Sequence, residues 1–320
     1  MLNWIVIGSG DIARKRVIPA IEAEPRSRLY GLVTRDPAGV RGLAPRAWAN
    51  LADAFADTDV DAVYVATPVA LHGPQSMAAM RAGRHVLCEK PMAMNYNEAA
   101  EMVRTARLTG VVFGVAYYRR CYPKLGRARE LIEAQAIGRP TLAEIRCHGW
   151  WGGEDGFRSW LADPALAGGG PLYDIASHRI DVLNFLFGNP ALVSAQVSNT
   201  VHRYAVEDSA TLLIEYESGV RGICDVRWNS RIARDEFRIV GVDGALDLTP
   251  LNGPRLESPL GEELLPPHPN LHYPLIENFV SAVMDGAPLV SSGETALVTA
   301  AVTQAALDSA RVARPLPYLA

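Results

Sequence analysis

The chain has 320 residues, a formal charge of −4, 49% apolar and 21% charged residues, the proportions of a globular protein at a length that favours two cores over one. No Lys/Arg cluster is available to neutralise nucleic-acid phosphates, and no run of about 18 apolar residues could span a bilayer, so neither nucleic acid nor membrane is expected as a partner. The four cysteines, Cys88, Cys121, Cys147 and Cys224, lack CxxC or zinc-finger spacing and read as reduced thiols; with no signal-peptide pattern at Met1 to Trp4, a cytoplasmic location is expected.

Along the chain, Trp4 to Ile7 is a short apolar run ending in glycine, and Asp11 to Glu24 carries apolar residues at helical spacing. Strands are expected at Leu29 to Val33, Ala62 to Ala66, His85 to Cys88 and Val111 to Val115. Helices are expected at His72 to Ala82 and Glu98 to Leu108, stopped by Gly83 and Gly110. Apolar strands alternating with amphipathic helices predict a doubly wound parallel sheet, an α/β Rossmann domain. The pattern changes near residue 120. Helices are expected at Tyr122 to Ala134 and Pro171 to Phe187, and a strand at Thr141 to Cys147. Segments at Val193 to Val201, Ser209 to Tyr216, Gly222 to Trp228, Glu236 to Val240 and Ala245 to Leu248 read as an antiparallel meander. Leu260 to Pro269 is Pro-rich and expected as a surface loop. Helices at Leu275 to Met284 and Gly293 to Ala310 close the chain. The expected domains are 1–120, a dinucleotide-binding Rossmann domain, and 121–320, a C-terminal α+β domain with a large, mostly antiparallel open sheet.

Gly8-Ser9-Gly10-Asp11-Ile12-Ala13 follows the first strand and opens the first helix. This GxGxxA arrangement suits a dinucleotide. Gly8 allows the turn, Gly10 allows close approach to a pyrophosphate, and the helix N-terminus offers N–H groups to the phosphates. The second strand ends Thr34-Arg35-Asp36. NAD sites usually carry an acidic residue where Thr34 stands, and Arg35 suits a 2′-phosphate. NADP is therefore the expected cofactor, with NAD the alternative if Asp36 takes the acidic role.

Glu89-Lys90-Pro91 lies at the C-terminal end of a parallel strand, where ligands of open α/β sheets bind. A partly desolvated Lys90 beside a nicotinamide is suited to exchange a proton with a substrate hydroxyl; an ordinary turn lysine is the bland reading. Asp174 and His178 stand at i and i+4 after Gly168-Gly169-Gly170. They are expected to share a helix face, as an acid–base group or as a surface ion pair. The glycines are expected to let the chain approach a ligand closely. Arg146, His148, Trp150 and Trp151 are candidates for a sugar pocket, with core packing as the alternative for the tryptophans.

Together the fingerprint, Glu89-Lys90-Pro91 and Gly169 to Asp181 resemble the Gfo/Idh/MocA oxidoreductases. Thr67-Pro68 with His72, Arg119-Arg120 with Pro123, Glu207-Asp208, Gly241 to Gly244 and Phe279 to Ala282 extend the resemblance over nearly the whole chain. It implies a dehydrogenase or reductase acting on CH–OH groups of sugars, cyclitols or related polyhydroxy compounds. Lys90 is implied as the proton-transfer residue, assisted by Asp174 and His178, with His178 as the main acid/base the alternative. Thr67, Pro68, His72 and Glu89 are implied to line the cofactor, and Arg120 and Trp160 to reach the substrate. In the family that Trp is often followed by Arg; here Leu161 follows and Arg158 precedes. A homodimer or homotetramer through the C-terminal sheet is implied, with Val197, Leu213 and Ile223 unassigned to either face. No metal is expected. A non-catalytic dinucleotide or sugar sensor and an NAD-assisted hydrolase or lyase are the competing functions.

Overall fold

The structure, a computed structural model, describes residues 1–153 and 158–312. Among the described residues it contains two compact units: Met1–Gly126 with Ala165–Gly168 and Leu265–Ala300, and Arg127–Pro164 with Gly169–Leu264 and 301–312.

The first unit is built on six parallel strands: β1 (Leu2–Ile7), β2 (Ser27–Val33), β3 (Ala47–Trp48), β4 (Ala62–Val65), β5 (His85–Cys88) and β6 (Phe113–Val115), in the spatial order β3-β2-β1-β4-β5-β6. Every residue of β4 is buried, as a strand covered on both faces requires. Interspersed are α1 (Ile18–Ala23), entered through a π-helical turn at Ala13–Val17, α2 (Leu51–Ala56), α3 (His72–Arg81) and α4 (Tyr96–Thr109). Helix α4 begins earlier than its periodicity implies because the Asn95 side chain accepts the Glu98 N–H. It ends at Gly110, whose φ of 69° is left-handed. The two-residue β3 and the six-residue α2 are too short for periodicity to announce.

The second unit starts within α5 (Pro123–Glu133) and continues through β7 (Pro140–Trp150) and α7 (Ser177–Phe187), whereas the short α6 (Pro164–Ala167) between them falls in the first unit from Ala165 on. Seven more strands follow: β8 (Pro190–Ser198), β9 (Ser209–Tyr216), β10 (Arg221–Arg227), β11 (Asn229–Gly241), β12 (Ala245–Asp247), β13 (Arg255–Ser258) and β14 (Gly261–Leu264). The eight-stranded sheet runs β14-β13-β12-β11-β7-β10-β9-β8. It departs from the expected meander in one respect: β7 inserts between β10 and β11 and pairs parallel with β10. The expected loop from Leu260 contains β14, because Gly261 at φ 118° closes a hairpin onto β13.

Strand alternation places Ala143, Ile145, Cys224 and Phe237 on the buried face of this sheet; Leu183 of α7 lies 3.3 Å from a Cβ built on Gly222. The opposite face carries Glu144, Arg146 and His148 on β7, Asp225 and Arg227 on β10, and Arg234 and Glu236 on β11, linked by ion pairs. Leu213 and Ile223 are register partners on that face, whereas Val197, opposite the buried Ala210, lies on the covered one.

Two closing helices follow, α8 (Tyr273–Asp285) and α9 (Gly293–Val312). Helix α8 returns to the first unit: Leu275, Ile276, Phe279 and Val280 join the core of Trp4, Val6 and Leu29. A single cut at residue 120 therefore does not describe the compact units. The apolar stripe of α8 shows that it packs against something, while its partner lies more than two hundred residues away in sequence.

Candidate active site

The strand order places a crevice between β1 and β4, where the connections diverge to opposite edges of the sheet and dinucleotides bind. Gly8 has φ 98°, and a Cβ there would lie 2.7 Å from the Ala66 carbonyl oxygen. Glycine is thus demanded by the chain itself. A Cβ on Gly10 meets no atom within 4 Å, so the space above Gly10 is available to a ligand. These two glycines at the start of a helix fit a bound pyrophosphate. Asp11 is exposed and pairs with Lys15 at 2.7 Å, and Ile12 is half-buried.

At the end of β2, the Thr34 and Ser9 hydroxyls are 3.2 Å apart and Arg35 is exposed. Arg14 donates to the Ser9 carbonyl at 2.8 Å. The Asp36 carboxylate accepts the Gly39 N–H at 3.0 Å, closing a local turn.

The loops after β4 and β5 are tied together by His72. Its Nε2 lies 2.8 Å from the Thr67 carbonyl and its Nδ1 2.8 Å from the Pro91 carbonyl. Thr67 donates its hydroxyl to Gln75. Glu89 is 7% exposed. One of its oxygens, Oε1, accepts from the Tyr64 hydroxyl at 2.7 Å and from His272 Nε2 at 3.1 Å, and Oε2 accepts the Lys90 N–H at 3.1 Å. Burial works to raise the Glu89 pKa, yet the His272 and Tyr64 donors and the Lys90 cation hold it below its ordinary value. Glu89 and His72 thus turn their polar atoms inward, and the groups half-open to solvent here are Thr67, Pro68 and Lys90. Arg120 is buried and donates to the Val290 carbonyl at 3.1 Å. Nothing in the sequence marks Tyr64 or His272 as a site residue: one sits inside an apolar strand and the other just past the Pro-rich stretch.

In the second unit, the helix carrying Asp174 and His178 opens with a π-helical turn at Leu172–Ala176 before α7. Such turns recur at functional sites, and they alter the i,i+4 geometry that a continuous α-helix would give. Asp174 accepts from Arg158 at 2.9 Å. Arg158, on the N-terminal side of Trp160, thus supplies a cation beside Asp174. His178 is 5% exposed. The glycine run answers to the chain itself: a Cβ on Gly170 would fall 2.0 Å from the Glu207 carbonyl oxygen, and one on Gly169 2.5 Å from the Tyr173 ring. The Glu207 carboxylate accepts the Leu172 N–H, and burial raises its pKa.

His148 bonds Asp225 at 2.7 Å and stands with Arg146 on the sheet face opposite α7. Strand alternation thereby separates these two from the α7 side. Trp151 is buried against Trp228 and Tyr204. Trp150 is 42% exposed, with the His202 ring 4.7 Å away and the Arg231 guanidinium 3.9 Å from its centroid. Trp160 is half-buried in the turn Ser159–Ala162.

Residues 2–117 match the model described as "Oxidoreductase family, NAD-binding Rossmann fold", and residues 125–247 match the GFO/IDH/MocA C-terminal domain. The chain is 31% identical to the 1,5-anhydro-D-fructose reductase of Ensifer adhaerens, over 97% of this chain and 96% of the relative. The chain belongs to the Gfo/Idh/MocA oxidoreductase family. This Gfo/Idh/MocA protein is also 28% identical to D-xylose 1-dehydrogenase (NADP(+)) 2 of Haloferax volcanii, over 77% of this chain and 75% of the relative. Its fold matches the aldose-aldose oxidoreductase of Caulobacter crescentus with a TM-score of 0.88 and 25% identity, covering 97% of each chain. Membership makes it an oxidoreductase with an NAD-binding Rossmann domain and a C-terminal sheet domain. Among the described residues no helix is long and apolar enough to cross a membrane.

Proposed function

We propose that the protein transfers hydride between NADP(H) and a sugar, cyclitol or related polyhydroxy compound, with Lys90 carrying the proton. The observation that supports it best is the pairing of a half-open Lys90 with a buried, ionised Glu89 at the C-terminal end of β5. The relatives named for 1,5-anhydro-D-fructose, D-xylose and aldoses support the substrate class.

The nicotinamide supplies or takes the hydride. In oxidation, the Lys90 amine takes the proton of the substrate hydroxyl while the carbon loses hydride, leaving a carbonyl. In reduction, the Lys90 ammonium returns that proton to the carbonyl oxygen. His178 and Asp174 orient the hydroxyl and share the proton, with Arg158 donating to the Asp174 carboxylate. Trp160 and Arg120 bound the substrate region, and Trp151 extends it; Trp150 falls by strand alternation on the His148 side. His148 belongs with the paired charges on the other sheet face, which we assign to a homodimer or homotetramer contact.

The preference for NADP rests on Thr34, Arg35 and Asp36. The Asp36 carboxylate is engaged by Gly39, leaving two hydroxyls and the Arg35 and Arg14 cations near the strand end. A 2′-phosphate suits that set. Parallel fluorescence titrations with NADPH and NADH, followed by a sugar and cyclitol panel using the tighter cofactor, test the reading. Tighter NADPH binding and oxidation by at least one aldose or ketose are expected. Tighter NADH binding overturns the cofactor assignment; stoichiometric binding without turnover on any compound overturns the enzymatic one.

A further inference from the structure

We propose that His272 and Tyr64 are positioning residues for Lys90, acting through Glu89. The inference rests on Lys90 as the proton carrier. Two donors from distant parts of the chain, the β4 tyrosine and the histidine just before α8, converge on one oxygen of Glu89. The other oxygen is left for the Lys90 backbone N–H. The carboxylate therefore cannot rotate without giving up a bond on each side. It brackets the backbone from which the Lys90 amine projects and keeps an anion beside that amine.

The His272 ring is 2% exposed, and its Nδ1 has no hydrogen-bond partner among the described residues. A buried ring nitrogen without a partner is costly. Its retention points to the Nε2 bond with Glu89 as the reason for a histidine here, since an apolar residue would fill the same space without that cost. The Tyr118 ring, 5.0 Å away, packs on the imidazole and limits its rotation. Around Glu89 the charged and titratable groups are Tyr64, His272, Lys90, His72 and, through Tyr64, Cys88 and Tyr118. Lys90 is the cation among them that borders the proposed reaction site.

A held anion beside Lys90 sets the surroundings of its side chain, and this has a direct readout. The chain contains three lysines, Lys15, Lys90 and Lys124, so the intact protein labelled with carbon-13 at lysine Cε gives three signals, assigned by Lys90→Arg. The position of the Lys90 signal should move in Glu89→Gln. It should move part of the way in the same direction in His272→Leu and Tyr64→Phe. His272→Gln, which keeps a donor, should restore the wild-type position. In the Glu89→Gln background His272→Leu should add nothing. A signal unmoved by Glu89→Gln, or moved equally by His272→Leu with and without Glu89, overturns the proposal. If Glu89→Gln does not fold, His272→Leu against His272→Gln decides: equal positions contradict it. The measurement needs no turnover. A Lys90→Met variant that kept full activity would remove Lys90 from the mechanism while leaving the bracket separately tested.

Discussion

The His72 ring lies 2.8 Å from both the Thr67 and the Pro91 carbonyl oxygens, so one buried side chain fastens the loop after β4 to the segment that carries Lys90. A neutral imidazole donates to one carbonyl; only the imidazolium donates to both. Burial opposes the imidazolium more strongly than the carbonyls favour it, so the His72 pKa lies below its ordinary value of 6.5. The unfolded chain therefore binds the proton first as pH falls. Stability from this site is complete above pH 6.5 and declines from there down through the depressed folded value. His72→Gln should flatten that part of the stability–pH profile, and His72→Leu should cost about 2 kcal/mol by stranding the carbonyls. Urea unfolding between pH 5 and 8 reads both.

The two fingerprint glycines should fail in different ways. Gly8→Ala collides with the Ala66 carbonyl in a left-handed backbone, so the unfolding midpoint should drop by the equivalent of about 1–3 kcal/mol. Gly10→Ala meets only open space. Its stability should stay near wild type while NADPH affinity falls, which calorimetric unfolding and fluorescence titration together distinguish.

At the end of β2, Arg35→Ala should weaken NADPH binding about tenfold, the loss of one charge-assisted bond of about 1.5 kcal/mol, and leave NADH binding nearly unchanged. Thr34→Asp should reverse the preference by repelling a 2′-phosphate. Equal losses for both cofactors in Arg35→Ala would place this arginine away from the 2′-phosphate.

The Arg158–Asp174 pair has a half-exposed arginine, with side-chain exposures of 54% and 18%. Such a pair contributes about 0–1 kcal/mol to stability. Arg158→Leu should therefore melt close to wild type yet lower kcat, because Asp174 loses the hydrogen bond that fixes its carboxylate. A large loss of stability with normal kcat would assign the pair to structure alone.

Much of the first unit was legible in the sequence because its signals are local. β1, β4 and β5 are apolar runs bounded by turn residues, and Gly8, Gly10 and Lys90 lie within or just beyond strand ends. What stayed hidden was set by contacts distant in sequence. Helix α8 and His272 return to the first unit from the far end of the chain. The glycines before Asp174 look like a ligand cradle in sequence, yet Gly170 is fixed by the Glu207 carbonyl. His148 reads as a pocket residue in sequence, but the pleat carries it to the face where Asp225 holds it. Period-two alternation was visible for β7; which face α7 covers was not, because that depends on packing between separate elements.

The central claim is that Lys90 carries the proton in hydride transfer. The most direct measurement is NADPH oxidation by the best substrate of the panel, compared between wild type and Lys90→Met, with NADPH affinity measured on the same samples. Affinity within about threefold of wild type and turnover reduced by about a hundredfold or more is the predicted result. Turnover near the wild-type rate in Lys90→Met would contradict it.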